Sequence, residues 1–160
     1  MRILVDSSTL IALAKIGNLN ILEIVFKEVS ITSVIMDEIL RENSPEKEVL
    51  RKAINSWINI IDYKGNPQEF RKYGLDAGGA SLFLASETDD RLVIDEANAR
   101  RFAESKGLKF TGLIGLIVAA AKTEKITREL ALETINKLSL GDFRMSMELY
   151  LWAHEKIERS

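Results

Sequence analysis

A chain of 160 residues with 46% hydrophobic and 29% charged residues suits one folded domain and argues against disorder. It has no cysteine and a single histidine, His154, which excludes disulfides, thiolate catalysis and Cys-type zinc sites and leaves no His-rich metal site. Lys plus Arg total 22 against 24 Asp plus Glu, a net charge of −2, so nucleic-acid contact needs a local basic patch and acid–base or metal chemistry needs carboxylates.

Arg2 to Val5 is a short branched apolar run stopped by Asp6, the pattern of a buried strand. Ser7 to Thr9 offer caps for a helix through Ile16, ended by Gly17. Asn18 or Asn20 can cap a second short helix, Ile21 to Phe26. Val29 to Thr32 reads as the second strand. Thr32 or Ser33 caps a helix from Val34 to about Glu42, and Asn43-Ser44-Pro45 breaks it. Glu46 to Asn55 is a charged amphipathic helix. Trp57 to Ile61 reads as a strand, followed by the Gly65-Asn66-Pro67 loop.

A short helix covers Gln68 to Tyr73, and Asp76 opens another running to about Glu87. Arg91 to Ile94 is a strand stopped by Asp95. Glu96 to Lys106 is helical, Lys109 to Thr111 a short strand, and Leu113 to Lys122 an apolar helix. Thr127 to Leu138 and Ser146 to Ile157 complete the chain as helices. Apolar strands alternating with helices imply a three-layer α/β/α fold around a mostly parallel sheet. The expected organisation is a single domain over 1–160, with 127–160 a helical appendage. Met1-Arg-Ile-Leu-Val-Asp6 reaches an acid too soon for a secretory core, and Leu113 to Ala121 is too short to cross a bilayer. The expectation is a cytoplasmic protein without a membrane span.

In an open parallel sheet, ligands bind at the carboxyl ends of the strands. Two strands end on an acid: Ile3-Leu4-Val5-Asp6 and Leu92-Val93-Ile94-Asp95. If the strands are neighbours, Asp6 and Asp95 meet, and a divalent cation with a preference for hard oxygen ligands relieves their repulsion. The alternative is that each merely caps the helix that follows. Glu38 lies near Val34, at the margin of the apolar stripe of its helix, while Asp37 points farther toward solvent. Arg100, Arg101, Lys106 and Lys109 cluster after the Asp95 strand and offer a phosphate path, or simply a solvated face.

These residues resemble PIN domains, specifically the small archaeal and bacterial branch once catalogued as a domain of unknown function and related to VapC-type toxins. The matching pieces are Leu4-Val5-Asp6-Ser7-Ser8-Thr9-Leu10, Thr32-Ser33-Val34-Ile35-Met36-Asp37-Glu38-Ile39, Leu75-Asp76-Ala77-Gly78-Gly79-Ala80, Leu92-Val93-Ile94-Asp95-Glu96 with Ala99-Arg100, and Thr111-Gly112-Leu113-Ile114-Gly115. Their order and spacing hold over nearly the whole chain.

The resemblance implies a Mg²⁺- or Mn²⁺-dependent endoribonuclease with Asp6, Glu38 and Asp95 as catalytic and metal-site acids. Ser7 stands where the family often has a small hydroxyl, and Glu96 where a further acid is common. Toxin-type relatives imply a homodimer and a small antitoxin partner. Apolar residues of the helices spanning Ile11 to Phe26 and Ser146 to Ile157 are the expected partner groove. The branch usually reads Leu-Asp-x-Gly-Glu after the third strand, and here the Glu position is Gly79. Asp76, one turn earlier, is either a partial substitute or an N-cap. The resemblance therefore implies one metal rather than two and a weakened nuclease. The alternative is a catalytically inactive PIN-like module that binds RNA or protein. A phosphoacceptor domain, with Asp at strand ends, lacks a well-placed lysine after the late strand.

Overall fold

The central strands form where short runs of branched apolar residues can be buried on both sides. The computed structural model describes residues 1–41 and 43–159. Among them β1 (Ile3–Val5), β2 (Val29–Thr32), β3 (Ile58–Ile61), β4 (Arg91–Val93) and β5 (Lys109–Thr111) pair in one parallel sheet of order β3-β2-β1-β4-β5. Leu4, Val5, Ile31, Leu92 and Val93 are fully buried. Each such side chain contributes roughly 1.5–3 kcal/mol over its exposed state. The flanking strands differ: in β3, Asn59 and Ile60 face solvent, and in β5, Lys109 does. They are edges, covered on fewer sides than an apolar reading of every strand implies.

Helices flank the sheet. They are α1 (Ser7–Lys15), α2 (Asn20–Phe26), α3 (Ser33–Arg41), α4 (Glu46–Ile54), α5 (Ala77–Ala85), α6 (Ala97–Ser105), α7 (Leu113–Lys122), α8 (Arg128–Leu140) and α9 (Met147–Glu158), with a 3₁₀ helix at Pro67–Tyr73. Glu42, the expected end of the third helix, lies outside the described residues. The helix after Asp76 ends at Ala85, short of Glu87, because Ser86 returns to extended backbone.

Several caps differ from expectation. Asp6, not Ser7 to Thr9, caps α1: its carboxylate accepts from the Thr9 N–H. Neither Asn18 nor Asn20 caps α2. Asn18 is buried and donates instead to the Thr134 hydroxyl on α8 at 2.8 Å. That bond ties the α1–α2 junction to the C-terminal helices. α7 packs against both α8 and α9, and Ile135, Leu138, Ala153 and Ile157 join the same hydrophobic cluster as the sheet. His154 packs on Tyr150, both reaching the Asn136 side chain. No single helix among the described residues is long and apolar enough to cross a membrane.

The amino-terminal end of the sheet is fixed by charge. Asp90, only 3% exposed in its side chain, accepts from the Arg2 guanidinium at 2.7 Å, from the Arg2 N–H and from the Glu87 N–H. Burial pushes its carboxyl up, but the Arg2 bond, the two backbone N–H groups and the Arg2 charge outweigh it and hold the group below the usual range. A depressed acid stabilises the fold at neutral pH, and that contribution disappears as acid protonates it. Arg2→Ala strands a buried carboxylate. The expected loss is about 2 kcal/mol at pH 7, below the usual cost of breaking a buried pair because Arg2 is a third exposed. Chemical denaturation at pH 7 and pH 3 checks this: the gap between variant and parent narrows at the lower pH.

Candidate functional site

The chain runs from β1 outward through β2 to β3, then returns to place β4 on the other side of β1. That reversal opens a crevice at the carboxyl ends of β1 and β4, the place where such sheets bind ligands. β1 and β4 are in register, Val5 beside Val93. Asp6 leaves β1 with its N–H on the Val93 carbonyl, 3.1 Å, and Asp95 donates its N–H to Asp6 Oδ2 at 3.2 Å. The two acids share one edge.

Each is held by more than its strand. Asp6 Oδ1 accepts from the Thr9 N–H at 2.9 Å. Asp95 Oδ2 accepts from the Thr9 hydroxyl at 3.1 Å, and Thr9 itself is fully buried. Asp95 Oδ1 accepts from the Leu113 N–H at 3.1 Å and from the Arg100 guanidinium at 3.3 Å. Asp95 therefore does not cap its own following helix; it serves the first turn of α7. Burial, with the Asp95 charge adding to it and the Thr9 and Asp95 N–H bonds opposing, pushes the Asp6 carboxyl up to about 6.

Glu38 comes from α3 on the β2 side. Its Oε2 accepts from the Ser7 hydroxyl at 2.9 Å, so the residue beside Asp6 also positions the third acid. Asp37 is exposed, as its helical angle implies. Gly78 is buried against Glu38, and a Cβ there would overlap Glu38 Oε1. The Glu38 carboxyl is raised, first by burial and then by the Asp76 charge, against the Ser7 bond.

Asp76 is the N-cap of α5, its Oδ1 accepting from the Gly79 N–H at 2.8 Å. Gly79 meets little: a Cβ would lie 3.2 Å from Asp76 Oδ1 and touch nothing else. Glu96 occupies the N-cap position of α6 without a side-chain cap bond, and burial followed by the Asp76 charge raises its carboxyl. The rings of Phe70, Tyr73, Phe83 and Phe102 cluster with centroids 4.6–6.2 Å apart, packing the segment before Asp76 against α5 and α6.

The acids thus line one edge: Asp6 and Asp95 joined through the Asp95 N–H, Glu38 held by the hydroxyl of Ser7, and Asp76 near enough for its charge to act on Glu38 and Glu96. Among the described residues, no three acidic side chains converge on one point. The donor set nonetheless fits a hard divalent cation on the Asp6–Asp95 pair. Ionised carboxylate oxygens keep lone pairs beyond the bonds they accept; Asp6 has no cationic side chain among the groups that move its carboxyl, while Asp95 would share its charge between the cation and Arg100.

Thr9, Gly78 and the Leu113 N–H belong to this site and were not among the expected site residues. Thr9 had one available signal: three residues past a strand-ending Asp is the spacing of a cap donor. The other two depend on contacts between distant segments.

Comparisons with curated proteins and with solved structures found no match. A family model described as a PIN domain matches residues 2–159. A match over nearly all of the chain, joined to a parallel sheet with acids at its switch point, means that the chain belongs to the PIN domain family.

Proposed function

We propose that this PIN domain is a Mg²⁺- or Mn²⁺-dependent endoribonuclease of the toxin type, working with one cation and weakened by the glycine at 79. The family is of nuclease type, is generally dependent on divalent metal and suggests RNA binding. The observation that carries the reading is the Asp6–Asp95 pair, joined by the 3.2 Å bond at the switch point of the sheet. Asp6 and Asp95 would hold the cation, and Glu38 would reach it through water, steadied by Ser7.

When bound, a divalent cation activates an attacking water and neutralises charge growing on a phosphate. Thr9 keeps both aspartates aimed, with its N–H on one and its hydroxyl on the other. Glu38, raised by burial, is placed to accept a proton from water in the crevice. Arg100 on Asp95 stands beside the position a phosphate would take.

A second reading, a non-catalytic module that binds RNA or protein, draws support from Gly79 and from the absence of a converging acid triplet among the described residues. The resemblance to toxin-type relatives adds a homodimer and a small antitoxin as partners. Exposed Leu140, Met147, Leu151 and Trp152 at the end of α8 and on α9 support the homodimer. Leu151→Glu is expected to convert the protein from dimer to monomer by light scattering; a monomeric parent defeats that part.

Asp6→Asn is expected to lower Mn²⁺-dependent cleavage of single-stranded RNA at least about a hundredfold, since even an outer-shell partner costs 10–100-fold. Equal cleavage by variant and parent rules the assignment out.

The raised Asp6 carboxyl sets the pH dependence. Between its ordinary value of 3.8 and about 6 the folded chain keeps a proton that the unfolded chain has released, so metal-free stability falls as pH rises through that window. Cation binding needs the ionised form. Saturating Mn²⁺ should therefore raise the Tm by about 5 °C at pH 7.5 and much less at pH 5. Calorimetry that shows no Mn²⁺ shift at either pH removes the metal from the proposal.

Gly79→Glu places an acid at the third position of α5, where a capping-box Glu belongs. It is expected to raise the Tm in the presence of Mn²⁺ and to increase cleavage about tenfold. Unchanged cleavage shows that position 79 does not limit the chemistry.

A further inference from the structure

A groove of about 1070 Å³ opens directly from the acid edge, starting at Asp95 and Glu96 and running between α1, the start of α6 and the α8–α9 connection. We infer that this groove seats the single-stranded RNA segment beside the scissile phosphate, with Arg101 and Arg144 on the backbone and Phe143 stacked on a base. This rests on the ribonuclease reading, which places the phosphate at Asp95.

The volume matters first. Pockets for single small molecules run roughly 300–1,000 Å³. This groove lies at the top of that range and is continuous with the crevice, so it suits a stretch of polymer better than one metabolite.

The chemistry of the walls matters second. The apolar lining includes Ile11 from α1, Ile16 at the end of that helix and Phe143 from the α8–α9 connection. The rim is cationic, with Arg100, Arg101 and Arg144, in a chain whose net charge is −2. Single-strand sites combine these two features, guanidinium groups along the backbone and an aromatic face for the bases.

Two of the guanidiniums are already placed. Asp95 holds Arg100, and the Asn98 side chain holds Arg101. The far end is closed by the Lys15–Asp142 ion pair at 3.1 Å, which spans α1 and the α8–α9 connection. Those two charges cancel, as do those of Arg100 and Asp95, which leaves Arg101 and Arg144 against Glu96 in the groove. A polypeptide is the less favoured occupant. The groove opens from the acid edge, and its cations come from two elements, Arg100 and Arg101 from α6 and Arg144 from the α8–α9 connection.

The test measures binding without cleavage. A short single-stranded RNA of mixed sequence is titrated in EDTA, by fluorescence anisotropy, across a salt series. Arg101→Gln and Arg144→Gln are each expected to weaken binding about three- to tenfold and to reduce the salt slope by about one. Phe143→Leu keeps an apolar side chain against the core but loses the ring; it should weaken binding about tenfold with the salt slope unchanged. Lys52→Gln on α4, away from the groove, should bind like the parent, and thermal melts should show all four variants folded.

Variants that bind like the parent overturn the inference, as does duplex RNA binding as tightly as the single strand. A parent with no RNA affinity, purified with a polypeptide whose release follows Phe143 and Arg144, overturns it too. Groove-dependent binding by a protein that never cleaves leaves the inference standing and defeats the nuclease reading. Cleavage that is unaffected by the groove variants does the reverse.

Discussion

Two carboxylates at the ends of adjacent parallel strands are costly to hold in a partly dry crevice, first through lost hydration and then through their mutual repulsion, and the surrounding structure answers that cost. The register of β1 with β4 brings the acids together. The fold answers with neutral donors, the Thr9 N–H and hydroxyl, the Asp95 N–H and the Leu113 N–H, and with one cation, Arg100 on Asp95. These offset the cost only in part, since burial, with the Asp95 charge adding to it, still holds the Asp6 carboxyl at about 6. At neutral pH, keeping it ionised costs on the order of 3 kcal/mol. A buried carboxyl held above its usual range beside a second acid in a cleft is an arrangement that binding and catalytic sites use. At the other end of the same strands, Asp90 shows the contrast: one buried acid, one arginine, and a stabilised carboxylate.

The parts of this arrangement that local pattern can express were legible in the sequence. A buried strand stopped by an acid is visible twice, and its consequence, acids at the carboxyl edge, follows from parallel topology alone. The helical angle of Glu38 against Asp37 correctly separates a cleft acid from a surface one. What stayed hidden depends on pairs of distant segments. Ser7 reaching Glu38 is a contact across 31 residues, and Thr9 reaching Asp95 one across 86. Asn18 read as a cap because caps are local, whereas its actual partner, Thr134, lies 116 residues away. The edge strands misled for a related reason, since alternation and branching do not say how many neighbours a strand has.

The C-terminal helices also change meaning in three dimensions. As a sequence segment, 127–160 reads as an addition after the alternating pattern has ended. In space, α8 and α9 pack on α7 and share its apolar cluster. Their connection brings Phe143 and Arg144 opposite α1, forming a wall that the sheet and its crossover helices do not supply. The acid edge is built by the alternating part of the chain, and the groove that leads away from it by the last part.

The two adjacent glycines of α5 show how the same local pattern carries opposite constraints. Gly78 leaves room for Glu38, because a Cβ there would overlap its carboxylate and displace it. Gly79 is imposed by nothing comparable. A side chain there meets only the edge of Asp76, and almost any residue would stiffen the first turn, by up to about 1 kcal/mol for alanine. An acid at that point would add negative charge beside Asp76, whose charge already raises Glu38 and Glu96. With a second cation present, that addition is neutralised; with one cation or none, it is unopposed repulsion. On the proposed reading, the glycine leaves charge for a single cation on the Asp6–Asp95 pair, and an acid at 79 would have to recruit a second. On that same reading, the arginines of the groove, rather than a further metal, would supply the remaining positive charge that a phosphate backbone requires.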